Sequence, residues 1–154
     1  MTVASEAQTT VLEQLFEMKL QPQRWPGDGK SPEPSPKASP GSRVGEYIAS
    51  GEGTLEGPQL KGTIRWDLFE NRDRKSVERT DMFGVIKTND GAEIGIESFG
   101  LFQPSKTDKE KWEHRATVRF ASTDERYAWL LPILGSMTGT FDLQTFVHHY
   151  RVYA

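Results

Sequence analysis

The stretch VIKTNDGAEIGIESFG, Val85–Gly100, decides the fold. Asp90-Gly91 sits between two extended runs, and an Asp-Gly pair there predicts a tight hairpin, because both residues tolerate positive φ. Before the turn, Ser76–Thr88 is rich in β-branched and aromatic residues. After it, Ala92–Phe102 returns with Ile94, Ile96, Ser98 and Gly100 facing one way. Outward from this hairpin the same period of two recurs. In Leu60–Phe69, Leu60, Ile64, Trp66 and Leu68 oppose Lys61, Thr63, Arg65 and Asp67. In Glu113–Ser122, Ala116, Val118 and Phe120 oppose Arg115, Thr117 and Arg119. Tyr127–Leu131, Gly135–Phe141 and Gln144–Tyr153 read as the last strands. Val11–Leu20 fits both a two-residue and a 3.6-residue period, so strand and helix both stay open there.

The reading is about nine short strands with no strong amphipathic helix, which favours an antiparallel barrel or sandwich over βαβ units. Strand-interior glycines such as Gly53, Gly84, Gly100 and Gly139 supply the bends that closure needs. The expected fold is all-β: a single closed antiparallel barrel, calycin or lipocalin-like, over residues 11–154 behind a tail of residues 1–10. One break interrupts it. Residues 21–43 hold six of the nine prolines, so a flexible Pro-rich loop is expected after the first strand, with Trp25 packing over the rim.

Composition removes several function classes. The 154-residue chain has no cysteine, which excludes disulfide scaffolds, zinc-thiolate sites, iron–sulfur clusters and thiol nucleophiles. A net charge of −3 gives no general attraction to nucleic acid or anionic membranes. Val11–Leu20 is broken by charges and cannot span a bilayer. MTVASEAQTT has neither the basic start nor the apolar stretch of a secretory signal, so a cytoplasmic location is expected. No P-loop, dinucleotide fingerprint or G-x-S-x-G is present, and no cofactor is expected. His148 and His149 point to opposite faces of a strand and no H-x-H or H-E-x-x-H spacing exists, so no metal is expected either.

Four runs carry a resemblance: SGEGTLEGPQLKG (Ser50–Gly62), TNDGAEIGIESFG (Thr88–Gly100), HRATVRF (His114–Phe120) and RYAW (Arg126–Trp129). In order and spacing, from Val11 to Tyr153, the chain resembles the bacterial and fungal domain of unknown function numbered three-two-three-seven, an uncharacterised group of lipocalin-like barrels. The resemblance implies a compact barrel, similar in shape to allene oxide cyclases, with a lumen open at one end. It highlights Asp81, Arg115, Arg119, Tyr127 and Trp129. Where relatives often carry an arginine two residues after the aspartate and an asparagine after Tyr-Ala-Trp-Leu, this chain has Phe83 and Leu131. The family's proline–glycine-rich stretch before its tryptophan is absent around Ile64–Glu70. A lumen less polar than its relatives' is implied.

Two placements of the charged residues stay open. With Arg115, Arg119, Asp81 and Tyr127 inside, they form an anion-binding, proton-handling cluster; otherwise the arginines lie on a solvated outer face. His148 shares parity with Phe146, Tyr150 and Val152 and is a candidate acid–base on a buried face. The expected function is a cofactor-independent isomerase, cyclase or dehydratase acting on a small hydrophobic or aromatic secondary metabolite in the lumen. In that scheme Arg115 and Arg119 hold an oxyanion, Asp81 or His148 moves the proton, Tyr127 donates a hydrogen bond, and Trp66, Phe83 and Trp129 shape the wall. The alternative is a non-catalytic carrier of an apolar small molecule. The partners expected are that ligand and further copies of the chain packing through aromatic strand faces.

Overall fold

The computed structural model describes residues 11–24, 46–71 and 78–154. Eight strands follow in order: β1 (Gln14–Arg24), β2 (Glu46–Glu56), β3 (Lys61–Asn71), β4 (Glu78–Thr88), β5 (Glu93–Pro104), β6 (Lys111–Ala121), β7 (Leu134–Asp142) and β8 (His148–Tyr153). Each pairs antiparallel with its neighbour, and β8 closes onto β1, so the sheet is a closed barrel. Closure pairs every described strand on both sides and removes the exposed edges of an open sheet.

Parity decides what is inside. Phe16, Met18 and Leu20 on β1, Ile64, Trp66 and Leu68 on β3, and Ile94 and Ile96 on β5 are all buried, while the residues between them face outward. Burying each such side chain contributes about 1.5–3 kcal/mol, so the alternation alone fixes the register. Bulges in β1 between Pro22 and Arg24 and in β2 between Tyr47 and Ala49 bend two long strands toward closure. Gly139 on β7 answers a close approach: a Cβ there would lie 2.0 Å from the His149 carbonyl oxygen and 2.5 Å from Cδ1 of Tyr150. Without one, the Tyr150 ring crosses the lumen unobstructed.

Several expectations change. The first segment is a strand, and it runs on to Arg24 through Pro22, so the Pro-rich connection starts later than residue 21. The tail and the rest of that loop, Trp25 included, lie outside the described residues. Tyr127–Leu131 is no strand. Asp124 accepts a hydrogen bond from the Arg126 N–H at 3.0 Å and caps a 3-10 helix, Glu125–Leu130. Among the described residues the strand count is eight, and β2 has no counterpart among the strands read from the sequence. The Asp-Gly hairpin is also wider than a two-residue turn. Only Gly91 has positive φ there, at 91°, and the Gly91 N–H donates to the Thr88 carbonyl at 3.0 Å. Ala92 N–H donates to Thr88 Oγ1, so one glycine, not an Asp-Gly pair, turns the chain.

The 3-10 helix joins β6 to β7 and lies at the barrel end that also carries the β2–β3 and β4–β5 hairpins. Its Tyr127 and Leu130 are buried among core residues, and Tyr127 Oη donates to Asp90 Oδ2 at 2.8 Å. This end is plugged. The interior side chains near the other end are a different population, and they make the site.

Candidate functional site

A cavity of about 200 Å³ is lined by Ile48, Leu68, Glu70, Glu78, Phe102, Trp112, Phe141, Leu143 and His148. These residues come from the start of β2, β4, β6 and β8 and the end of β3, β5 and β7, all at the end opposite the 3-10 helix. An apolar cavity of about 150 Å³ holds a benzene-sized molecule, so this one suits roughly one substituted aromatic ring.

His148 is one of three polar residues in its wall, with Glu70 and Glu78. It is 2% exposed and ringed by aromatics: Phe141 at 4.4 Å, Trp66 at 5.4 Å and Phe102 at 6.0 Å between ring centroids. Its Nδ1 lies 2.5 Å from Tyr150 Oη, whereas Nε2 has no partner. Burial, followed by the neighbouring His114, depresses the His148 pKa to about 3, so the ring is neutral near pH 7. Burial above all, and then the charge of Glu70, pushes Tyr150 well above the usual phenol range, so it too is neutral.

Counting protons selects the tautomer. If His148 donated to Tyr150, the buried phenol O–H and the Nε2 lone pair would both go unsatisfied. If Tyr150 donates to Nδ1, only the Nε2–H is left over, which is the cheaper state. His148 therefore carries its proton on Nε2, buried and without a partner, with Tyr150 fixing its tautomer and orientation. Behind it, His114 shares a 2.7 Å hydrogen bond with Thr80 Oγ1 and stacks on Phe102, with centroids 4.5 Å apart. Burial lowers the His114 pKa to about 3. His114 Nδ1 and Ser98 Oγ are also buried without partners. Glu70, 8% exposed, contributes a carboxylate to the same cavity wall.

Of the expected site residues, the fold brings Trp66 and His148 into ring contact, and of the two His148 lines the cavity. Tyr127 and Trp129 sit on the 3-10 helix at the plugged end; Trp129 is half-buried and packs on the core. The inward charged cluster is not formed, because Arg115, Arg119, Asp81 and Phe83 all fall on the outer parity of β6 and β4. Arg119 donates to Glu97 Oε2 at 2.6 Å and lies over the Phe99 ring. Phe83 stands edge-on between Phe69 and Phe99 in an outer aromatic row. The apolar partners Ala116, Val118 and Phe120 occupy the interior side in their place, as ordinary amphipathic strands dictate.

Sequence reading passed over Glu70, Glu78, Thr80, Phe102 and Tyr150, and weighed His114 only as a metal ligand. Parity was the available signal: His114 alternates in step with Ala116, Val118 and Phe120. Among the described residues no group of three or more His, Asp or Glu is placed to hold a metal ion, and no helix is long and apolar enough to cross a membrane.

Comparison places this geometry in a wider group. The barrel resembles that of a β-barrel-like protein from Acinetobacter baumannii AYE, with 20% identity, a TM-score of 0.65, and 93% of this chain and 94% of that one covered. A conserved protein of unknown function from Rhodopseudomonas palustris gives 16% identity and a TM-score of 0.65 over 95% and 100% of the two chains. An enzyme from Penicillium herquei gives 20% identity and a TM-score of 0.51 over 94% of each. At these identities the likeness is one of fold. No curated protein matches the chain. The family described as "Protein of unknown function (DUF3237)" matches residues 11–153, and the chain belongs to it.

Proposed function

We propose that this protein is a cofactor-independent enzyme that enolises a small, largely apolar aromatic ketone, as an isomerase, cyclase or dehydratase does. One observation carries the reading: a buried, neutral histidine whose Nε2 has no hydrogen-bond partner lines an apolar cavity that also holds a carboxylate. The Glu70 carboxylate removes a proton from the carbon next to the substrate carbonyl. The C–H electron pair becomes the enolate double bond, and the negative charge moves onto oxygen, where His148 Nε2–H donates to it. A neutral imidazole suits this task because its donor strength needs no net charge. Return of the proton to a different carbon is isomerisation, attack on an electrophile in the same molecule is cyclisation, and loss of a β-hydroxyl as water is dehydration. Aromatic walls hold one conformer and keep bulk water from the enolate.

The test uses 4-isobutylacetophenone in D₂O, following exchange of its methyl protons by NMR. The protein should accelerate exchange beyond buffer; Glu70→Gln should abolish the effect, and His148→Phe should reduce it by about 10²-fold, as for loss of an oxyanion donor. Binding seen by tryptophan fluorescence with exchange at the buffer rate overturns the enzymatic reading. That outcome instead assigns the cavity to carriage of an apolar molecule.

A further inference from the structure

We propose that the half-exposed side of the cavity binds a protonated amine carried by the same aromatic ligand, making the substrate class an aromatic amino-ketone. The inference rests on the reading of the cavity above and adds its charge preference. Glu78 lies on the lumen parity of β4 and stands directly opposite Phe102 in the β4–β5 register. The Phe102 ring is 6.3 Å from Trp112 and 6.1 Å from Phe141, so a carboxylate and three aromatic rings border one volume. Glu78 has no hydrogen-bond or ion-pair partner among the described residues, and the described residues that line the cavity include no lysine or arginine. A partly shielded carboxylate without a counter-charge is a cost that a bound cation relieves. Ring faces present negative quadrupole to the same cation. Together they draw in ammonium and repel carboxylate or phosphate. His148, which lines the same cavity, takes the oxygen end of the ligand.

Three probes of one shape test this at neutral pH: 4-(dimethylaminomethyl)acetophenone, which is protonated; 4-isobutylacetophenone, its neutral isostere; and 4-acetylphenylacetate, the anion. Titration against the full chain, followed by tryptophan fluorescence and calorimetry, should give the amine about tenfold tighter binding than the neutral ketone, with the anion weakest. Glu78→Gln should bring the amine to within about threefold of the neutral probe and leave the neutral probe unchanged. An amine that binds no tighter than its isostere, an anion that equals it, or no binding by any probe overturns the proposal. The order is read on the wild-type protein, so a poorly folding variant does not blunt the test. Deuterium exchange in the neutral ketone is scored separately, so failure of the charge preference is distinguishable from failure of the enolisation reading.

Discussion

Tyr150→Phe is the perturbation that isolates the device at the heart of the cavity. The substitution keeps the ring that crosses beside Gly139 and removes only Oη, the hydrogen-bond partner of His148 Nδ1 at 2.5 Å. No cavity opens, so the effect is the loss of one buried bond with a polar atom stranded, about 1–3 kcal/mol. For a chain of this length each kcal/mol lowers Tm by about 2–4 °C, so a fall of several degrees is expected. The second consequence is chemical. With no phenol to select it, His148 becomes a mixture of tautomers, and the Nε2–H form is no longer guaranteed. Circular dichroism melts measure the first effect, and ¹⁵N imidazole spectra measure the second. The double variant His148→Phe/Tyr150→Phe should recover much of the lost stability, because two apolar rings strand nothing. A wild-type spectrum showing the proton on Nδ1, or a Tyr150→Phe protein with unchanged melt and tautomer, would refute the reasoning.

Two more predictions concern charge. His114 and His148 both have folded pKa values depressed to about 3, below the ordinary value of 6.5, so between those values the unfolded chain binds more protons. Stability should therefore fall on acidification below about pH 6.5, by up to about 1.4 kcal/mol per pH unit for each histidine. Urea titrations at pH 7, 6 and 5 should show this slope, and His148→Phe should remove about half of it; a flat profile would mean the rings are hydrated. Arg115→Met and Arg119→Met remove outward, solvent-screened side chains, and each should change stability by less than about 1 kcal/mol. Both variants should bind 4-isobutylacetophenone like wild type, and a clear loss of affinity would return these arginines to the site.

The fold was largely legible because strand parity is a local property. Leu60–Phe69 and Glu113–Ser122 could be assigned faces from their own residues, and closure followed from many short strands with glycine bends. Tyr127–Leu131 failed because five apolar and aromatic residues carry no decisive period, while the Asp124 cap that makes them helical is a single-residue signal. The site was legible only in pieces. Trp66 and His148 were found by parity, but Glu70, Glu78, Phe102 and Trp112 become neighbours through the register of four different strands, which no local pattern reveals. Arg115 and Arg119 had two open placements, because a resemblance names positions without saying which way a side chain points; the outer parity of β6 decides it.

The 3-10 plug has a bearing on traffic. With Tyr127 and Leu130 wedged into one end, a molecule that reacts beside His148, on the enzymatic reading proposed above, has to back out along the route by which it came. A spent molecule then occupies the same berth as the next one waiting. Inhibition by reaction product should therefore be purely competitive, and release should set the pace of turnover whenever the product keeps the oxygen that His148 grips.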